Sequence, residues 1–533
     1  MRRWNGWGSN EINFPLSPSA ENYLSLELGK AKRGPSSKFE DVLGRVPRPR
    51  ISPHPLISTN AELRVLTSRG QSLPDWIALR FGTVDSFPDG VARPTSEDEI
   101  EKLISYAKQT GTRLIPYGGG TSVVGHINPP RDERPSVTVD LRNLRELISL
   151  DEKSRLATLE AGATGPHLEA QLRARGYTLG HFPQSFEYST LGGWIATRSS
   201  GQQSLYYGRI EDLFAGGRVI TPSGKVELPP FPASAAGPDI RHILLGSEGR
   251  FGIITRATVR ISSLPEEEKF HGLFFPDWEK GSTAVRELAQ NRIPLSLLRL
   301  SNSLETRLTL LLAGRERLVQ LLNRLLRARG LGEEKCLLIF GVTGKEADVK
   351  RTRRVTLDIC RSYGGVYVGK RMGNEWKKNR FKTPYLRNTL WEHGYAVDTL
   401  ESAFSWSSLL PAAQAILKEL EQGLLDTGEK ALSFAHISHV YQTGASIYVT
   451  YLFRLASSAQ ETFERWKKLK HKASKAIISQ GGTISHQHGV GTDHLPYLEP
   501  EKGKIGLAAI EALSKNIDPH GIMNPGKLIK IKD

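Results

Sequence analysis

The chain has 533 residues, 38% hydrophobic and 24% charged, which predicts about two to four soluble domains rather than one core. No run of about 18 apolar residues could span a bilayer. The two cysteines, Cys336 and Cys360, are too few for a disulfide framework or an iron–sulfur cluster. A net charge of +16 favours anionic partners: nucleic acid, anionic lipid or phosphorylated substrates. The N-terminus has no apolar signal region, so a cytoplasmic location is expected.

Regular secondary structure is predicted to begin after a Pro-, Ser- and Gly-rich covering segment. The stretch "PTSEDEIEKLISYAKQTG" predicts a helix with Ser96 as N-cap, Glu99 three residues later and Gly111 as its end. Strands are predicted in "RLIP", "SVTVDL" and "LATLEAGAT", and a second helix in "GPHLEAQLRARG". This alternation indicates an α+β fold. A change to longer, more charged helices places a domain boundary near residues 264–270.

A glycine-rich loop, "IPYGGGTSVVGH", follows the first of these strands. Gly118–Gly120 let backbone N–H groups approach an anion without Cβ atoms in the way, which suits a diphosphate. The loop is not a P-loop, because His126 follows Gly125 where Lys is required. It is not a Rossmann fingerprint, because Val123 occupies the third glycine position. A purely structural turn is the alternative.

Two further glycine-rich turns suit the same ligand. In "YSTLGGW", Ser189 and Thr190 can cap a helix that begins near Leu191, and Gly192–Gly193 leave room for a phosphate. In "LLGSEGRFG", glycines surround Ser247 and Glu248, and this backbone can pack against a flat ring system. Three such turns fit one long, folded ligand better than three unrelated loops.

Two histidines lie in the glycine-flanked segment "GGTISHQHGVGTDH". If this segment is extended, His486 and His488 point the same way, which suits one hydrogen bond to a cofactor and one proton-transfer role. A metal site, with Asp493 or His494 as third ligand, and a structural turn are the alternatives.

The three glycine turns, in this order, resemble the FAD-binding half of the vanillyl-alcohol-oxidase (PCMH-type) flavoproteins. The resemblance implies an α+β fold: a covering segment (1–85), a two-subdomain PCMH-type FAD-binding domain (86–265), a cap domain with an antiparallel sheet (266–504) and a returning segment (505–533). Covalent relatives have His where Thr121 stands, so non-covalent FAD is expected, with His126 a surface or structural residue. The cofactor residues implied are Pro116, Tyr117, Gly118, Gly119, Gly120, Thr121, Ser122, Gly125, Ser185, Ser189, Thr190, Gly192, Gly193, Thr197, Ser199, Glu248, Gly249, Gly252, Ile253 and Ile254.

Other stretches are similar to one branch, the alkyl-dihydroxyacetonephosphate synthases. They are "RRWNGWGSNE", "LLRLSNS", "TPYLRNTLWEHGYAVDTLES" and "GASIYVTYLF". The resemblance implies that Arg387 grips a substrate phosphate, Tyr448 transfers a proton, and Arg299, His486 and His488 belong to the site. The activity implied is exchange of the acyl chain of acyl-dihydroxyacetone phosphate for a fatty alcohol, through an adduct at flavin N5 and without net oxidation.

One difference from the synthase sequences leaves a second activity as an alternative. The synthases have three consecutive histidines where this chain has His486-Gln487-His488, and Gln does not titrate. The C-terminal "NIDPHGIMNPGKLI" resembles D-lactate dehydrogenases and glycolate oxidases, so an FAD-linked 2-hydroxyacid or polyol-phosphate oxidoreductase is the alternative. A phosphorylated lipid-like substrate, a homodimer and peripheral contact with an anionic inner membrane surface through Leu318–Leu331 are expected, without a metal or nucleic acid.

Overall fold

The computed structural model describes residues 2–312 and 316–530. The N-terminal part is mainly helical, and its proline- and glycine-rich connections keep each helix short. Its elements are α1 (Pro18–Leu28), α2 (Phe39–Leu43), β1 (Ile57–Ser58), α3 (Ala61–Leu66) and α4 (Leu73–Phe81). Among the described residues, no helix has the length and apolar character needed to cross a membrane.

This N-terminal part also enters the core. Trp7 is buried against the ring of Tyr188 and joins the hydrophobic cluster of the cap domain. The side chain of Asn388 accepts a hydrogen bond from the Trp7 N–H and donates one to its carbonyl, each at 3.0 Å. Any side chain at Gly8, which has φ +75°, would overlap the ring of Tyr385. The segment from Arg2 to Ser9, called the N-terminal strap below, therefore connects the cap domain to the rest of the chain.

The first subdomain of the FAD half is a four-stranded sheet in the order β1-β2-β4-β3, with β2, β3 and β4 parallel. The predicted helix is confirmed: the Ser96 hydroxyl accepts the Glu99 N–H at 3.3 Å, and Gly111 ends the helix with φ +71°. The apolar face of this helix is buried and consists of Ile100, Leu103, Ile104 and Ala107. The elements are β2 (Gly90–Ala92), α5 (Glu97–Thr110), β3 (Arg113–Tyr117) and β4 (Ser136–Asp140).

The second subdomain is a five-stranded antiparallel sheet in the order β5-β6-β10-β8-β9, with a two-stranded pair, β11 and β7, beside it. Its helices carry the second and third glycine turns at their ends. The elements are β5 (Leu147–Asp151), β6 (Leu156–Glu160), α6 (Gly165–Arg173), β7 (Tyr177–Thr178), α7 (Leu191–Thr197), α8 (Ser204–Tyr207), α9 (Ile210–Leu213), β8 (Phe214–Thr221), β9 (Gly224–Leu228), α10 (Arg241–Leu244), β10 (Ile253–Arg260) and β11 (Ser262–Ser263).

The cap is a seven-stranded antiparallel sheet in the order β15-β12-β14-β13-β17-β18-β16, whose helices bury one face. The elements are β12 (Glu267–Phe275), α11 (Trp278–Gln290), β13 (Leu297–Ser301), α12 (Ser303–Leu312), α13 (Glu316–Arg327), β14 (Cys336–Gly344), α14 (Glu346–Ser362), β15 (Val366–Gly369), α15 (Arg371–Asn379), α16 (Leu386–Glu392), β16 (Tyr395–Ser405), α17 (Trp406–Glu421), β17 (Ala431–Val440), β18 (Gly444–Arg454), α18 (Ala459–Ser479) and α19 (Glu499–Ile517), with 3₁₀ turns at Thr383–Tyr385, Leu425–Thr427 and Leu495–Tyr497.

After α19 the chain returns to the FAD half. Met523 forms a β-bridge with Leu114 of β3, and the Asn524 amide donates to the carbonyls of His126 and Glu248. The end of the described chain thereby ties the first glycine turn to the third.

Replacement of Trp7 by Ala tests the strap. Because the indole is buried between the two halves, W7A is expected to lower the free energy of unfolding by about 3–5 kcal/mol. Leu26→Ala, at an 80% exposed position of α1, is the control and should leave stability within about 0.5 kcal/mol. Denaturant unfolding of both variants measures this, and equal stabilities would contradict the role assigned to the strap.

Candidate active site

A cavity of about 1010 Å³ lies between the glycine turns of the FAD half and the cap sheet. Most of the residues expected to bind the cofactor line it: Pro116, Tyr117, Gly118, Gly119, Gly120, Thr121, Ser122, Ser185, Ser189, Thr190, Gly192, Gly193, Thr197, Ser199, Glu248, Gly249, Gly252 and Ile254. Two expected residues do not. Gly125 instead packs against the hydroxyl of Thr492, and Ile253 is fully buried within β10.

The first and second glycine turns lie directly against each other. A Cβ atom at Gly119 would overlap the carbonyl oxygen of Tyr188, and one at Gly118 would overlap the hydroxyl of Thr190. Gly120 has φ +65°, which disfavours any other residue. The glycines are therefore needed first for backbone packing, and the two turns together form one wall of the cavity.

The second turn offers the opening that a diphosphate requires. Thr190 caps α7 by accepting the Gly193 N–H, at a long 3.4 Å. Beside a Cβ built at Gly193, only the Thr190 hydroxyl lies within 4 Å, at 3.3 Å, so this backbone faces open space. The residues present thus fit a bound dinucleotide. Thr121 stands directly after the triple glycine, so no imidazole is available there for a covalent flavin bond.

Glu248 has a second role that the sequence did not reveal. It has φ +53°, and its carboxylate accepts the backbone N–H groups of Val490 and Gly491, the latter at 2.9 Å. Nε2 of His126 lies 3.1 Å from the same carboxylate, and the Nδ1 of this ring is hydrogen bonded to Ser122. His126 is therefore a buried structural residue rather than a surface one.

His488 and Tyr448 face the cavity together. Their rings meet edge to face with centroids 6.0 Å apart, and the Tyr448 hydroxyl lies 3.5 Å from the side-chain oxygen of Gln184. Burial lowers the pKa of His488 to about 4 and raises the pKa of Tyr448 to about 12. At neutral pH the imidazole is therefore an uncharged proton acceptor and the phenol a proton donor.

Arg387 provides a permanent positive charge at the same end of the cavity. Its Nη1 donates to the carbonyl of Gln71 at 2.8 Å, and the guanidinium lies 4.4 Å from the ring centre of Trp76. Burial lowers its pKa, but a guanidinium remains charged at neutral pH. Nη2 is buried and has no hydrogen-bond partner among the described residues, so it is available to an anionic ligand.

Arg299 also lines the cavity, but both of its terminal nitrogens already face protein partners. Its guanidinium binds Ser301 and Glu305 at 2.9 and 2.8 Å and lies 3.2 Å from the imidazole of His436. Burial alone would raise the pKa of the Glu305 carboxyl, but the adjacent Arg299 guanidinium and the hydrogen bond with His436 lower it to about 2. His436 in turn stacks on Tyr448, with ring centres 5.0 Å apart. Arg299 therefore helps to position Tyr448 through the His436 ring.

The expected parallel orientation of the two histidines is wrong. Residues 486–488 form a bend rather than a strand, and only His488 lines the cavity. Nε2 of His486 is hydrogen bonded to the Tyr441 hydroxyl at 2.6 Å, and its ring stacks on His439. Asp493 and His494 lie outside the one metal-like cluster of the described residues; His494 instead hydrogen bonds the carbonyl of Gly489.

Gln487 makes two hydrogen bonds between the halves of the molecule. Its side-chain nitrogen donates to Glu401 of the cap, and its side-chain oxygen accepts the Ser200 N–H at 3.1 Å. A neutral imidazole, like the Gln487 amide, offers one donor and one acceptor. Neither of the two hydrogen bonds therefore requires the side chain at position 487 to gain or lose a proton.

Sequence reasoning missed several cavity residues. They come from strands and helices far apart in the chain: Arg380, Asp398, Glu305, His436, His439 and Asn524. The sequence "HISH" carries the two histidines three residues apart and is the one local signal that could have drawn attention to this strand.

The other end of the cavity is lined by leucines. They come from α12 and α13 and include Leu308, Leu310, Leu312, Leu318, Leu321, Leu322 and Leu325. Leu321 and Leu325 are also 53% and 59% exposed, so the apolar lining continues to the molecular surface. One cavity thus joins a charged end at Arg387 to an apolar end that opens on α13.

Gly119→Ala tests the cofactor wall. The added methyl group would overlap the Tyr188 carbonyl, so it should separate the two turns and release the flavin. The expected result is purified, folded protein with less than a tenth of the wild-type flavin absorbance. Gly332→Ala is the control, because nothing lies within 4 Å of a Cβ built there. Full flavin content in G119A would contradict the assigned packing.

Comparison with known proteins agrees with this geometry. Residues 88–228 match the family model described as an FAD binding domain, and residues 264–528 match that of the FAD linked oxidases, C-terminal domain. An alkyldihydroxyacetonephosphate synthase of Dictyostelium discoideum is 33% identical, covering 87% of this chain and 77% of the relative. The synthase of Trypanosoma brucei brucei is 28% identical, covering 99% and 92%.

Solved structures also show similarity to an alkyldihydroxyacetonephosphate synthase. A structure of an alkyldihydroxyacetonephosphate synthase superposes with a TM-score of 0.85 at 29% identity, covering 99% of this chain and 98% of that one. p-Cresol methylhydroxylase, with a TM-score of 0.67 and 14% identity, shares the fold. The expected α+β fold with a PCMH-type FAD-binding domain is confirmed, as is FAD as the cofactor. This chain belongs to the alkyldihydroxyacetonephosphate synthase family of FAD-dependent enzymes.

Proposed function

We propose that the protein exchanges the acyl chain of acyl-dihydroxyacetone phosphate for a fatty alcohol and so forms an ether lipid precursor. The observation that carries this proposal is the cavity with one charged and one leucine-lined end. A substrate that fits both ends has a phosphate and a long hydrocarbon chain. The family to which the chain belongs supports the same substrate class.

Arg387 binds the phosphate in this proposal. Its Nη2 is buried without a partner among the described residues, and an unpaired buried donor is costly unless a ligand satisfies it. Trp76, beneath the guanidinium, and the Gln71 carbonyl hold the side chain in place. Leu308 and Leu321, at the other end, contact the hydrocarbon chain.

The resemblance assigns the proton transfer to Tyr448, whereas we assign it to neutral His488 and give Tyr448 a hydrogen-bonding role. With its pKa lowered to about 4, neutral His488 accepts a proton from the substrate carbon. Tyr448, protonated at neutral pH, donates a hydrogen bond to the substrate oxygen. FAD, held by the three glycine turns, would supply a nucleophilic nitrogen for the exchange of fatty acid for fatty alcohol. The cap sheet and the N-terminal strap exclude water, which would otherwise compete with the alcohol.

The FAD-linked oxidoreductase is the weaker alternative. A D-lactate dehydrogenase of Arabidopsis thaliana is 26% identical over 84% of this chain. Oxidation of a small hydroxyacid would need only a cation to bind the carboxylate and a proton acceptor. The leucine-lined end of the cavity would then have no function. Gln487 is compatible with the synthase reaction because its two hydrogen bonds are structural.

Replacement of Arg387 by Ala tests the phosphate contact. Loss of charge-assisted hydrogen bonds worth about 1.5–3 kcal/mol should lower kcat/KM for ether formation by about 10- to 100-fold. Flavin content should remain unchanged, because among the described residues no hydrogen bond joins the Arg387 side chain directly to the glycine turns. Arg351→Ala, at an exposed position on α14, is the control. Wild-type kcat/KM in R387A would exclude Arg387 as the phosphate ligand.

A parallel assay separates the two enzyme classes. Anaerobic wild-type protein is mixed with D-lactate, glycolate or glycerol 3-phosphate, and flavin bleaching is followed. The synthase predicts no bleaching, together with ether product from acyl-dihydroxyacetone phosphate and a fatty alcohol. Rapid bleaching without ether product would make the protein a dehydrogenase.

We further propose that α13 docks on the anionic inner surface of the cytoplasmic membrane. Its exposed leucines alternate with Arg317, Arg324 and Arg327, a pattern typical of helices that lie in the lipid interface. Leu318, Leu321 and Leu325 also line the cavity, so a lipid substrate could enter there without crossing water. The net charge of +16 supports binding to an anionic membrane surface.

A homodimer is proposed on the family resemblance alone and is tested by sedimentation velocity.

Leu321→Glu combined with Leu325→Glu tests docking. Removal of the apolar contact and addition of negative charge should reduce sedimentation with anionic phosphatidylglycerol vesicles at least tenfold. Flavin content should not change. Leu425→Glu, at a 58% exposed leucine far from α13 in sequence, is the matched control. Equal sedimentation of the two variants would contradict docking through α13.

A further inference from the structure

Three side chains near the cavity wall converge in a way that the proposed reaction does not use. They are Glu401 of β16, His439 of β17 and His486 of the bend after α18. One oxygen of Glu401 lies 3.7 Å from Nε2 of His439 and 3.4 Å from Nδ1 of His486. All three candidate ligand atoms lie within 4.8 Å of one another.

These separations suit a transition-metal ion. Tetrahedral Zn²⁺ with bonds of about 2.0–2.1 Å places neighbouring ligand atoms about 3.3 Å apart. Two imidazoles and one carboxylate are a ligand set typical of zinc sites that keep a fourth, open position. Of the three residues only His439 lines the cavity, so a water molecule as fourth ligand would enter from that side.

The second observation is an unsatisfied ring nitrogen. Nδ1 of His486 faces a Glu401 oxygen 3.4 Å away but makes no hydrogen bond of good geometry among the described residues, although His486 is only 5% exposed. An unpaired buried nitrogen is costly, and a metal ion would satisfy it. Its Nε2 is fixed by the Tyr441 hydroxyl at 2.6 Å, so Nδ1 remains directed at Glu401.

The surrounding hydrogen bonds are those of metal ligands. Nδ1 of His439 lies 3.1 and 3.0 Å from the hydroxyls of Ser200 and Ser204, which leaves Nε2 for the ion. The Ser446 hydroxyl donates to the Glu401 oxygen that faces the histidines, at 2.8 Å, and Gln487 donates to the other carboxylate oxygen. Such outer contacts orient ligands and fix which ring nitrogen coordinates.

We propose that Glu401, His439 and His486 bind one divalent transition-metal ion, with Zn²⁺ as the best fit. This ion would join β16, β17 and the bend that carries His488, at the boundary with the FAD half. The inference is independent of the acyl exchange, because none of the three ligands has a role in the proposed proton transfers.

The test uses the full-length flavoprotein, stripped with a chelator and then reconstituted with Zn²⁺ or Co²⁺. The expected result is one metal ion per chain after gel filtration, measured by mass spectrometry. Four-coordinate Co²⁺ should add intense visible absorption to the flavin spectrum in a difference measurement. Added Zn²⁺ should also raise the melting temperature, because the ion binds the folded state.

His439→Gln and Glu401→Gln each remove one ligand while keeping side-chain size and hydrogen bonding. Both are expected to reduce bound metal at least tenfold, with flavin content as the check on folding. His242→Gln, at an exposed histidine, should retain one ion per chain. Absence of Zn²⁺ and Co²⁺ binding by wild-type protein, or unchanged stoichiometry in folded H439Q and E401Q, would overturn the proposal. The wild-type Co²⁺ spectrum decides the question even if both variants fail to fold.

Discussion

The hydrogen bonds between Glu248 and the turn at Val490–Gly491 connect the cofactor half to the catalytic half. The carboxylate is buried, faces His126 and holds the two N–H groups that follow His488. Asn524 binds the Glu248 carbonyl, so the returning C-terminal segment fixes the same residue. Because a buried carboxylate is costly without partners, these donors and the carboxylate require each other. The position of the catalytic imidazole relative to the flavin wall follows from this one group.

The cavity separates two chemical tasks along its length. The charged end collects a buried guanidinium, a neutral imidazole and a protonated phenol, whose unusual pKa values result from burial. The leucine end is lined by side chains of α12 and α13 and reaches α13 at the surface. In the proposed function, the phosphate of the substrate lies at Arg387 and its hydrocarbon chain lies along the leucines.

Features set by neighbouring residues could be predicted from the sequence, and features set by distant partners could not. Helix α5 was predicted because Ser96 and Gly111 cap it locally, and the glycine turns because three adjacent glycines act through their own backbone. The orientation of His486 was wrong, since Tyr441 and Glu401 hold its ring in a bend rather than a strand. The pairing of Arg299 with Glu305 and His436 was missed, because β17 and α12 contribute to it from separate parts of the chain. The domain limits at 86, 266 and 505 stay predictions.

The N-terminal strap has a consequence for how the chain folds during synthesis. Trp7 is hydrogen bonded to Asn388, which is made 381 residues later. At about 5–20 residues per second, roughly 20–80 s pass between the two. Throughout that time the Trp7 backbone lacks its Asn388 partner, although Tyr188, against which the indole packs, is made earlier with the FAD half. Closure of the contact between the strap and the cap domain is therefore a late, long-range step in folding.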